Sequence, residues 1–143
     1  MWVSFFQRTL LSFFAIAMFL TLDVASAQPI YTGLIIDARG LGVQPGMSPK
    51  ITDTKDRVIY GEFDAIDSNF AIEEGVVKYA ETEKAAKKLE LSGNHPLTLR
   101  ALAKADDPSG SSVIIKDQDA WQILTANDLK NFLSSYRVTF IVD

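Results

Sequence analysis

Thr32-Gly-Leu-Ile-Ile-Asp-Ala38 is a short apolar run in which two adjacent isoleucines follow a leucine. A run of this length, rich in branched side chains and bounded by turn residues, predicts a buried strand. The next segment sharpens that reading. Arg39-Gly-Leu-Gly-Val-Gln-Pro-Gly-Met-Ser-Pro49 holds three glycines and two prolines in eleven residues. Such density excludes a helix or strand interior and predicts an ordered loop. Residues 50–53 and 57–60 then flank Thr54-Lys-Asp56, the pattern of a hairpin, and Gly61 closes its second strand.

From Ser68 the period changes. Ile72, Val76, Tyr79, Ala86 and Leu89 recur at helical steps, which predicts one long helix with an apolar face. Glu83 and Lys87 stand four apart in the favourable order, and Gly75 marks a kink or a break. Ser92-Gly-Asn-His-Pro96 ends the segment. Leu97, Leu99, Ala101 and Ala103 alternate with Thr98, Arg100, Leu102 and Lys104, giving a strand with one apolar face. A turn-rich loop over residues 106–111 leads to a short strand at residues 112–116. Asp117 suits the N-cap of a short helix through Leu124, and Asn127 or Asp128 suits a further turn. The terminal Arg-Val-Thr-Phe-Ile-Val142 reads as a strand tied into the sheet centre. The fold class expected is therefore α+β. A mixed sheet of five or six short strands carries one long helix, kinked or broken, and a short C-terminal helix on one face.

Composition divides the chain in two. Residues 1–27 hold 19 apolar residues and only two charges, Arg8 and Asp23. A positive start, the apolar stretch 10–22 and Ala25-Ser-Ala27 match a secretory signal cleaved after Ala27. The competing reading is an uncleaved anchor helix, for which residues 3–22 have the length only if Gln7, Arg8 and Thr9 are included. The remaining residues, 28–143, form a single domain of ordinary globular composition, with 13 basic and 17 acidic side chains. That balance argues against nucleic acid as a partner. The absence of cysteine excludes disulfides and thiolate metal sites.

Few residues offer chemistry. Gly40-Leu-Gly-Val-Gln-Pro45 fails the dinucleotide-binding pattern at its last position, where proline has no amide to donate. Asp37 and Arg39 are two apart, the spacing of an ion pair bracing the loop. His95 is the only histidine, so a histidine-based triad would need it; its place before Pro96 reads as a junction loop. No acidic cluster matches a calcium loop, and no cofactor or metal is expected. Lys84, Lys87 and Lys88, interleaved with Glu81 and Glu83, read as a solvated face. Trp121 reads as core or lid, with a protein-facing anchor as the alternative.

Two stretches carry a family resemblance. Tyr31-Thr-Gly-Leu-Ile-Ile-Asp-Ala-Arg-Gly-Leu-Gly42, with Pro45, Met47, Pro49 and Val58-Ile-Tyr-Gly61, is similar to the core segment of LPP-type small bacterial outer-membrane lipoproteins. Relatives of that family include the flagellar outer-membrane protein FlgP. Asn94-His-Pro-Leu97, Val113-Ile-Ile115, Asp119-Ala120, Phe132-Leu133 and Arg137-Val138 through Ile141-Val-Asp143 are similar as well. The resemblance implies an exported, non-enzymatic α+β domain in the periplasm or at the outer membrane, with several relatives in motility structures. The chain departs from lipoprotein members by lacking the cysteine that would be acylated.

The function expected is therefore a cell-envelope assembly or accessory component working by protein contacts. Its partners are envelope proteins or further copies of itself, with membrane contact only through the signal segment if that is retained. The binding surface expected is the loop at residues 37–49. Asp37 and Arg39 form its brace, and Leu41, Val43 and Met47 are its exposed or half-exposed apolar contacts. The alternative is a periplasmic module that binds a small ligand or peptide in a cleft beside that loop.

Overall fold

β1 (Gly33–Asp37) occupies the apolar run and is buried along nearly its whole length. The structure, a computed structural model, describes residues 27–61 and 75–143. All but the last residue of the expected signal segment, and the start of the expected long helix, lie outside those residues. The other elements are β2 (Ile51–Thr52), β3 (Val58–Tyr60), β4 (Lys78–Ala80), α1 (Glu83–Lys88), β5 (Pro96–Arg100), β6 (Ala103–Lys104), β7 (Val113–Ile114), α2 (Asp117–Lys130) and β8 (Val138–Ile141). A 3-10 turn, Glu90–Ser92, links α1 to β5.

The class is α+β, but the strands form two sheets where one mixed sheet was expected. The first has the order β4-β8-β1-β5 and is wholly parallel; the second has the order β3-β2-β7-β6. Strands buried on both faces suit a parallel sheet, and β1 and β8 are the two inner strands. Leu34 and Ile36 of β1, with Val138 and Phe140 of β8, enter the large core. Ile35 and Ile141 point the other way, against Ala86 of α1. The expected C-terminal strand is thus central.

Residues 96–104 join the sheets. Ala101 N donates to Asp37 O (2.9 Å) in the first sheet, and Leu102 N donates to Ile114 O (2.8 Å) in the second. The second sheet contains the expected hairpin, closed by Asp53 N to Arg57 O at 3.1 Å, with β2 and β3 antiparallel.

The expected long helix is not formed over its described part. Residues 78–80 are strand, paired with residues 139–141 of β8, and helix begins only at Glu83. Apolar residues at 76, 79, 86 and 89 satisfy a helical period, but pairing with the central strand overrides it. α1 starts where Thr82 Oγ1 accepts from Ala85 N at 3.0 Å, and Glu83 and Lys87 pair at 2.6 Å. Ser92 then turns its hydroxyl inward, donating to Ala86 O (2.6 Å) and bonding Thr139 Oγ1 (2.9 Å). This satisfies two buried hydroxyls beneath β8.

The C-terminal helix runs further than expected, through Lys130. Lys116, not Asp117, is its N-cap residue, because the Asp117 carboxylate is taken by Thr54 N (3.0 Å) and Thr54 Oγ1 (2.6 Å) of the hairpin turn. Asn127 starts no new helix; its Oδ1 accepts from Leu133 N at 2.9 Å. Asn131, in the left-handed conformation, ends α2. Ala120, Ile123 and Ala126 face the core, while Trp121, Leu124 and Leu129 face outward.

Candidate functional site

Parallel strands end together, so the first sheet gathers three polar side chains at one edge. Asp37 ends β1, Arg100 ends β5, and Asp143 follows β8. Such carboxyl ends of strands are where loops with binding roles collect. The Asp37 carboxylate accepts from Arg39 N (3.1 Å), Arg39 Nε (2.9 Å), Arg39 Nη2 (2.7 Å) and Arg100 Nη1 (3.0 Å). The fork of Arg39 engages both carboxylate oxygens. These bonds, above all those from the Arg39 side chain, hold the Asp37 carboxyl down at about 2. The expected brace is therefore present, and Arg100, which sequence spacing did not bring to it, is its third member.

The brace sets the loop's direction. Arg100 Nη2 donates to Arg39 O (2.6 Å), and Gly40 N donates to Asp143 Oδ2 (2.6 Å). The loop then turns back over the second sheet, where Gln44 N donates to Gly110 O at 2.9 Å. The Tyr79 hydroxyl clamps Gly46 at both ends, accepting from its N–H (2.9 Å) and donating to its carbonyl (2.7 Å). The Tyr79 ring stands edge-on to Phe140, with centroids 6.0 Å apart. Burial pushes the Tyr79 phenol up, so it stays a neutral donor. At Gly46 a Cβ would lie 2.6 Å from Ser111 Oγ, so the close approach of the two loops needs glycine there.

A serine-rich turn supports the loop from below. Asp107 Oδ2 accepts from the hydroxyls of Ser109 and Ser112, each at 2.7 Å, and Ser112 Oγ accepts from Lys50 N at 2.9 Å. Burial alone would raise the Asp107 carboxyl, but hydrogen bonds from the Ser112 and Ser109 hydroxyls and from the Gly110 and Ser112 amides together lower it.

The three apolar contacts expected on the loop part company. Val43 is 5% exposed and belongs to the core, so it is not a surface contact. Leu41 is half-buried against that core. Met47 is 62% exposed, held out by a loop tied at Gln44, Gly46 and Lys50. A hydrophobic side chain thus projects from a stiff support.

Two other places matter. His95 Nδ1 bonds Ile30 O at 2.8 Å, and its ring stacks on Tyr31 with centroids 5.1 Å apart. These two contacts fasten the segment entering β1. Trp121 is 68% exposed, so it is not the core residue that was expected. With Gln28, Pro29, Tyr31, Thr125 and Leu129 it lines a shallow groove of about 230 Å³. Among the described residues no group of three acidic or histidine side chains is placed to hold a metal.

These features define a small domain of two four-stranded sheets with a braced Gly/Pro loop at the carboxyl edge of the parallel one. Residues 33–143 match the family model described as the second domain of Treponema pallidum Tp0624, and the chain belongs to that family. No curated protein matches the chain. The match covers both sheets, both helices and the whole of the loop.

Proposed function

We propose that the chain is an exported, non-enzymatic component of the bacterial cell envelope, periplasmic or associated with the outer membrane, that works by contact with other envelope proteins. The observation that carries this reading is Met47, exposed on a loop whose backbone is tied to both sheets. A stiff support lowers the ordering cost that a contact must overcome. The apolar signal-like segment at residues 1–27 and the LPP-type resemblance support export, and the relatives of that family point to motility structures as one setting.

The test is photo-crosslinking in cells, with a benzoylphenylalanine residue placed at Met47 and, as a control, at the exposed Ser134. Specific adducts with envelope proteins from position 47 and none from position 134 are expected. Equal adducts at both positions would remove the loop as the contact surface. A second reading, a peptide-binding module, is favoured by the groove beside Trp121, which is not the cleft expected beside the loop and whose walls combine apolar side chains with Gln28, Gln122 and Thr125.

A further inference from the structure

The parallel sheet has two edges, and they are built differently. β4 is three residues long, begins with Lys78 and has α1 packed beside it. β5 is five residues long and pairs with β1 in unbroken register from Pro96 to Arg100. Ala101 N donates to Asp37 O, so by strand alternation residues 97, 99 and 101 direct their main-chain groups to β1. The N–H of Thr98 and Arg100 and the C=O of Pro96, Thr98 and Arg100 point away from the sheet. Among the described residues no strand pairs with that side, and Thr98 is exposed. Free edges in proteins are usually short, bulged or guarded by lysine or proline. Here only Pro96 offers such protection, at the very start of the strand.

A shallow groove runs along this edge. Thr98 and Leu99 line it together with Glu83 and Lys87 of α1, Tyr31 and Gln122. Unpaired main-chain donors and acceptors in a row are complementary to another strand and to little else.

We infer that β5 pairs with β5 of a second copy of this chain, antiparallel about a two-fold axis, joining the parallel sheets of two copies into one. The inference rests on the reading that the chain works through protein contacts and names one such contact. The register that overlaps the whole strand sets Thr98 against Thr98 of the other copy, each N–H donating to the other's C=O. It also sets Arg100 N–H against the C=O of the other Pro96, so the missing proline donor falls at the ends of the ladder. The same axis lays the two α1 helices antiparallel. Glu83 and Lys87, paired within each chain at 2.6 Å, line the groove beside Thr98, so each flank presents both signs of charge and the flanks are self-complementary as an isologous contact requires.

The absence of cysteine makes the test direct. Thr98→Cys in the full chain, treated in the envelope with a short bis-maleimide, gives a covalent dimer, while Ser134→Cys does not. Thr98→Pro removes the central donor without touching a bond to β1, because proline is tolerated where an edge N–H faces outward. In sedimentation of the full chain in detergent it weakens self-association by at least about tenfold, whereas Thr98→Val does not. Circular dichroism checks that each variant is folded. No selective dimer from Thr98→Cys, or self-association unchanged in folded Thr98→Pro, overturns the inference. Either result leaves the adducts at position 47 untouched, so failure of the β5 contact is distinguishable from failure of the envelope-contact reading.

Discussion

Replacing Asp37 by asparagine keeps the shape of the brace and removes its charge. The wild-type carboxyl is held down at about 2 against a usual 3.8 by the Arg39 fork and Arg100. At about 1.4 kcal/mol per unit this sets an upper limit near 2.5 kcal/mol of stabilisation. The Arg39 and Arg100 side chains are 40% and 56% exposed, so water screens both partners and the expected contribution is about 1–1.5 kcal/mol. Its pH dependence follows from the direction of the shift. The folded carboxyl is depressed, so its stabilisation is complete above 3.8, where both folded and unfolded chains are ionised. It fades as pH falls through about 2, where both are protonated. Urea unfolding of wild type and Asp37→Asn at a series of pH values between 7 and 2 measures the difference. The variant is expected to be less stable by that amount at neutral pH and to converge with wild type near pH 2. A gap of constant size across the whole range would refute the charge-based account of the brace and leave only a packing role for Asp37.

Three further outcomes follow from the packing. Phe140→Ala empties the centre of β8, where the ring is fully buried, and should cost about 3–5 kcal/mol in denaturant unfolding; a loss below about 1 kcal/mol would mean the core collapses around the gap. Tyr79→Phe removes both bonds to Gly46 and should destabilise by about 1–2 kcal/mol, with faster hydrogen exchange at the Gly46 amide. Unchanged exchange there would show that the loop is held by its other ties. Thr82→Ala strips the cap from α1 and should cost about 1 kcal/mol, read as a lower unfolding midpoint; no change would show that packing against β8 alone holds the helix.

Much of the two sheets was legible because most of their strands are short apolar runs between strong turn signals. Gly40, Gly42 and Pro45 bound β1, Thr54-Lys-Asp56 separates the hairpin strands, and the alternation from Leu97 marks β5. The Asp37–Arg39 brace was legible too, since two residues apart on a strand share a side. Residues 76–80 misled because helical and extended periods coincide over so few positions. Val76 and Tyr79 satisfy the first, and only partners in β8 decide for the second. Val43 misled for a related reason: composition marks the loop as exposed, but its path back over the second sheet buries that one side chain.

Local sequence by itself determined the element types at both ends of the domain, the Gly/Pro loop and the ion pair at its root, because each depends on neighbours a few residues apart. Tertiary structure alone decided that β1, β5 and β8 lie side by side in parallel. It also decided that Arg100 and Asp143 meet the loop, that Tyr79 clamps Gly46, and that Trp121 and the outer side of β5 are left uncovered by the described residues. Parallel strands are joined only through long crossovers, so their neighbours are far apart in the chain. No local pattern names them, and the packing of the whole domain selects them.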